Sequence, residues 1–80
     1  MQVELRLFAS LAHYMPKHGA DAFSNTLEVD EGTTIRGLLE RFRVPLEQVR
    51  IIFLNGIHAS GDEILKHGDR VGVFPPVGGG

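Results

Sequence analysis

One stretch of this chain sets its apolar residues at the helical period. Ile35, Leu38, Leu39 and Phe42 stand at i, i+3, i+4 and i+7, the spacing that lines one face of an α-helix. Thr33 and Thr34 precede them, and a threonine oxygen there can accept a backbone N–H left free at a helix start. Pro45 ends the helix by disfavouring helical geometry at Val44, and Gly37 weakens its interior. A single amphipathic helix cannot bury its own stripe, so the rest of the chain must supply a surface to cover.

That surface reads as a sheet. Gln2 to Phe8 alternates, with Val3, Leu5 and Leu7 on one face and Glu4, Arg6 and Phe8 on the other, the pattern of a half-buried strand. Leu11 to Met15 can form one helical turn. Pro16, Gly19 and the polar residues through Asn25 read as a loop, and Thr26 to Asp30 alternates again as a second strand. Glu31-Gly32 turns into the helix. Arg50 to Leu54 is an apolar run closed by Asn55-Gly56, a dipeptide suited to the positive φ angles of a tight hairpin, with Ile57 to Ala59 returning from it. Asp62 to Gly68 is irregular, with Ile64 and Leu65 expected to reach the core. After the Gly68-Asp69 turn, Arg70 to Phe74 forms the last strand, with Val71 and Val73 inward and Gly72 and Phe74 outward. Pro75-Pro76 stops it, since neither residue donates a ladder hydrogen bond.

Hairpin, helix, short strands and a final strand make an α+β order: a mixed sheet of four to five strands on one main helix, as in a ubiquitin-like β-grasp. A ferredoxin-like fold would need a second full helix, and Glu47 to Gly68 has no such period. The expected division is a folded domain over residues 1–77 and a glycine tail over 78–80.

Composition removes several classes of function. The chain has no cysteine, hence neither disulfide, thiolate metal site nor thiol nucleophile, and 80 residues must be held by one apolar core. The formal charge is −2 with no basic run, so nucleic acid is not an expected partner. The N-terminus resembles no signal or transit peptide, and no apolar stretch approaches the roughly 20 residues of a membrane span; a cytoplasmic protein is expected. His13, His18, His58 and His67 are scattered, with Pro16 between the first two, so no metal site is expected. Neither a Ser/His/Asp grouping nor a phosphate-binding glycine loop is present.

Two features remain that could carry chemistry. Gly78-Gly79-Gly80 has no side chains, so its backbone can thread a channel too narrow for a Cβ. Read from composition alone, the same tail is equally a frayed end. The stiff Pro75-Pro76 base directly upstream suits presentation of a tip to a partner. The second feature is a set of outward phenylalanines. Alternation places Phe8 and Phe74 on the face away from the helix, and inward Ile52 and Leu54 would add Phe53 to it. An apolar patch of this kind marks an interface, unless the tail or the Met15–Asn25 loop covers it.

Phe74-Pro75-Pro76-Val77 before terminal glycines resembles the end of the MoaD/ThiS family, the molybdopterin synthase small subunit and the thiamine-pathway sulfur carrier. The similarity extends to Leu54-Asn55-Gly56, to Gly68-Asp69-Arg70-Val71 and to Leu7-Phe8-Ala9. The resemblance implies that the Gly80 carboxylate is the functional group. An activating enzyme adenylates it with ATP, and sulfur transfer then gives a thiocarboxylate; the carrier binds no cofactor and needs no catalytic residue of its own. The implied partners are that adenylating enzyme and a sulfur acceptor, either the large subunit of molybdopterin synthase or thiazole synthase. Gly78 and Gly79 thread the partner's site, and Phe8, Phe53, His58, Phe74, Pro75 and Pro76 meet its surface. Some relatives carry an apolar residue at the position of His58. Pro75-Pro76 resembles the molybdopterin branch, whereas the short Val44–Val49 connection is similar to the thiamine branch. A protein modifier joined through Gly80 to a target lysine, and a plain ubiquitin-like binding module, are the alternatives.

Overall fold

The computed structural model describes residues 1–15 and 24–76. Val77, Gly78, Gly79 and Gly80, and the loop expected from Pro16 onward as far as residue 23, lie outside the described residues. So does the expected boundary between domain and tail.

The elements run β1 (Gln2–Leu7), a 3-10 turn (Ala9–Tyr14), β2 (Ser24–Glu28), α1 (Ile35–Arg41), a 3-10 turn (Leu46–Gln48), β3 (Ile51–Leu54), β4 (Ile57–Ala59) and β5 (Arg70–Phe74). The five strands form one mixed sheet in the order β2-β1-β5-β3-β4. β1 and β5 are parallel neighbours at its centre, and the other pairings are antiparallel. With α1 on one face, this is the β-grasp architecture.

Burial follows the alternation. Val3, Leu5 and Leu7 from β1 and Val71 and Val73 from β5 join Ile35, Leu38 and Leu39 from α1 in one core, with Phe42 and Leu54 packed at its margin. Removing such side chains from water contributes about 25 cal/mol per Å² of apolar area.

The helix is fastened at both ends. At its start the Thr34 hydroxyl accepts from the Gly37 N–H at 3.0 Å. The N–H groups of Ile35 and Arg36 donate to the carbonyls of Glu63 and Gly61 at 3.2 and 2.8 Å. A Cβ on Gly37 would lie 3.3 Å from the Thr34 Oγ1, so the glycine that weakens the helix also leaves room for its cap. At the other end Val44 N–H donates to Leu39 O and Arg43 N–H to Glu40 O, both at 3.0 Å, the bond pair of a Schellman motif. Arg43 occupies the left-handed position usually held by glycine, at φ +60°. The helix therefore ends by its own capping turn at Arg41, ahead of Pro45.

Three sequence expectations are corrected. β1 stops at Leu7, but Phe8 stays extended and its N–H still donates to Val73 O at 3.1 Å. β2 spans Ser24–Glu28 instead of Thr26–Asp30, because pairing with β1 sets its register from Arg6↔Ser24 to Gln2↔Glu28. Ile64 is 60% exposed while Leu65 is buried: Ile64 forms an isolated bridge with Thr34, which leaves one inward position in that irregular segment.

Candidate functional site

The face of the sheet away from the helix carries the aromatic patch. Phe8 and Phe74, at the adjacent ends of β1 and β5, stack with ring centroids 4.3 Å apart and planes 3° from parallel. Phe53 meets Phe74 edge-on at 5.9 Å, and His58 meets Phe53 edge-on at 6.2 Å. The contacts follow from register: Phe53 lies opposite both His58 on β4 and Gly72 on β5. Offset and edge-to-face pairs of this kind are favoured by the ring quadrupoles.

All three phenylalanines are half-buried and His58 is exposed. No described residue roofs the patch, and the tail and the loop that could cover it are not described. Pro75 and Pro76 leave the sheet directly from Phe74, whose carbonyl is held by the Arg50 N–H at 2.9 Å. The root of the tail is thus fixed at the border of the patch. Of the site residues expected from sequence, Phe8, Phe53, His58, Phe74 and Pro75-Pro76 fall together at one end of one face; Gly78, Gly79 and Gly80 are outside the described residues.

Several residues of this face were not expected at the site from sequence. Gly72 sits beside Arg6 in the parallel register and Phe53 in the antiparallel one, and with Phe8, Phe74 and Arg70 these residues line an open depression of about 410 Å³. Asn55 braces the far end of β5. It takes a positive φ of 53° in the hairpin, its Nδ2 donates to Asp69 Oδ1, and its Oδ1 accepts from the Arg70 N–H, both at 2.9 Å. Composition flagged the Asn55-Gly56 turn but gave no hint of this bridge to a distant strand.

Glu63 carries a titration shift beside the helix start. Hydrogen bonds from the Ser60 N–H at 2.9 Å and the Gly61 N–H at 2.8 Å hold its carboxylate, lowering its pKa to about 2. Among the described residues no group of three His, Asp or Glu side chains could hold a metal ion, and no helix is long and apolar enough to cross a membrane.

A mixed five-stranded sheet on one main helix, with an aromatic face that no described residue covers beside Pro75-Pro76, defines a small ubiquitin-like β-grasp protein. The chain matches the ThiS family over residues 5–80 and belongs to that family. Solved structures agree. SAMP1 of Haloferax volcanii, a small archaeal modifier protein, shares 26% identity over the whole of both chains with a TM-score of 0.70. A Pyrococcus furiosus protein assigned as molybdopterin converting factor subunit 1 shares 31% identity over 95% of this chain and 98% of that one, with a TM-score of 0.67. The complex of subunits 1 and 2 of the molybdopterin-converting factor of Helicobacter pylori contains a chain 25% identical over the whole of both, with a TM-score of 0.63. No curated protein sequence matches the chain.

Proposed function

We propose that this protein is a sulfur carrier whose Gly80 carboxylate is adenylated and then converted to a thiocarboxylate that donates sulfur in cofactor biosynthesis, most directly to a pterin precursor of molybdopterin. The observation that carries the reading is the Phe8–Phe74 stack at the root of Pro75-Pro76, in a member of the ThiS family. A carboxylate is a poor acyl donor. An activating enzyme supplies ATP, the carboxylate oxygen displaces pyrophosphate, and the resulting adenylate carries AMP as leaving group; a sulfur donor then displaces AMP. The carrier's own contribution is positional. Its folded part docks through Phe8, Phe53 and Phe74, and this docking delivers a glycine carbonyl without a flanking Cβ into the partner's site. No ATP site on the carrier is needed, and the reaction belongs in the cytoplasm.

The acceptor in this reading is a large subunit of the molybdopterin-converting type, supported by the two-subunit Helicobacter pylori complex among the structural neighbours. Supplying activating enzyme, ATP and a sulfur donor tests it: the intact mass rises by the difference between sulfur and oxygen. A thiazole synthase acceptor is the alternative within the family. Similarity to SAMP1 favours a second reading, a modifier joined to target lysines through Gly80. Both begin from the same acyl-adenylate, and higher-mass conjugates lost on deleting Gly79 and Gly80 identify the second.

A further inference from the structure

The open face has a hole at its centre. Gly72 is the outward residue of β5 between Arg70 and Phe74, so where a side chain would fill the sheet surface there is only backbone. A Cβ built there has Phe8 Cε2 at 3.5 Å and Phe74 Cε1 at 4.0 Å: the stacked rings lean towards the glycine, and Phe53 closes the side across β3. Glycine in a strand interior forfeits packing and marks a place of close approach by another group. Here it forms the floor of the depression of about 410 Å³.

The rim has a sign. Arg6 and Arg70 are both exposed and both border the depression, although the chain as a whole carries a formal charge of −2. Glu4 Oε2 accepts from the Arg6 Nε at 2.6 Å and Glu4 stands opposite Arg70 in the parallel register, so one carboxylate offsets part of the charge of the two guanidinium groups and the rim keeps a net positive sign. An apolar floor with two guanidinium groups at its edge is complementary to an apolar side chain flanked by carboxylates.

Chain length restricts which partner can reach it. Four residues, Val77 to Gly80, follow Pro76, and fully extended they span at most about 14 Å. A protein that takes the Gly80 carbonyl into its active site must therefore sit against the Phe74 end of the domain, where the depression begins.

We infer that the depression over Gly72 is a socket for one large apolar side chain of the sulfur-accepting subunit, and that Arg6 and Arg70 pair with carboxylates around that side chain. The inference rests on the carrier reading and adds to it the position and chemistry of the central contact.

The test measures binding of the full chain to the large subunit by calorimetry, with sulfur loading read by intact mass on the same samples. Gly72→Leu fills the socket while its Cβ makes only ordinary contacts; with an unchanged urea midpoint as the check on folding, affinity falls about tenfold or more. Gly72→Ala, which adds the Cβ alone, gives a smaller loss. Arg6→Glu with Arg70→Glu slows association at low salt, an effect that shrinks as salt screens it. A loaded Gly72→Leu chain that binds as tightly as the wild type overturns the socket and leaves the carrier reading intact. Loading lost with acceptor binding unchanged also overturns it, since the activating enzyme would then occupy the depression. A wild-type chain that gains sulfur but does not bind the large subunit overturns the assigned occupant, whereas one that never gains sulfur overturns the carrier reading itself.

Discussion

Phe8 and Phe74 stack almost face to face, 4.3 Å between centroids, although they lie near opposite ends of the sequence. The parallel β1–β5 pairing at the centre of the sheet brings them together, and Pro75 follows immediately. The aromatic surface and the exit of the tail are one structural feature. Phe8→Ala removes the stack and part of the docking surface but leaves the buried core intact. Folding stability should fall by about 1 kcal/mol, and affinity for a tail-engaging partner by about 2 kcal/mol, roughly thirtyfold. Urea unfolding and calorimetry separate the two effects.

The helix start predicts a measurable cap. Thr34→Ala deletes the oxygen that accepts from the Gly37 N–H, with an expected loss of about 1 kcal/mol. Thr34→Ser, which keeps the hydroxyl, should recover most of it in urea unfolding.

The helix end predicts a gain. Arg43 holds φ +60°, a conformation that strains an L side chain and suits glycine. Arg43→Gly should therefore stabilise the protein by about 0.5 to 1 kcal/mol, visible as a higher urea midpoint at unchanged slope. A destabilised variant would show that the arginine side chain contributes more than its backbone strain removes.

Acid should weaken the protein through Glu63. Its pKa is about 2 in the folded state, below the ordinary glutamate value of 4.5. The folded form thus binds the proton more weakly than the unfolded one, and the stabilisation is fully present above the unfolded value. It is lost as pH falls from about 4.5 towards about 2. Glu63→Gln should lower stability at neutral pH and flatten the acid limb of the stability profile between those limits. An unchanged limb would assign acid sensitivity to other groups.

How much of this was legible in sequence depends on how local the signal was. Ile35, Leu38 and Leu39 gave the helix and Val3, Leu5, Leu7, Val71 and Val73 the sheet, because burial alone dictates their spacing. The outward placement of Phe8, Phe53 and Phe74 followed from the same alternation. Features set by pairing partners were not legible. The ends of β2 depend on register with β1, the exposure of Ile64 on its bridge to Thr34, and the Asn55 brace on a strand that begins beyond an irregular segment. Arg43 gave no cap signal, since the left-handed position is usually announced by glycine. Gly72 read as a neutral outward residue until Phe8 and Phe53 were placed on either side of it.

In the proposed function, Gly80 is the group on which this protein carries sulfur. Intact-mass spectrometry of the full chain, incubated with its activating enzyme, ATP and a sulfur donor, tests it most directly. The expected result is a mass increase equal to the replacement of one oxygen by sulfur, mapped to the C-terminal peptide and absent when Gly79 and Gly80 are deleted. An unchanged mass under conditions where the same enzyme loads another carrier would contradict it.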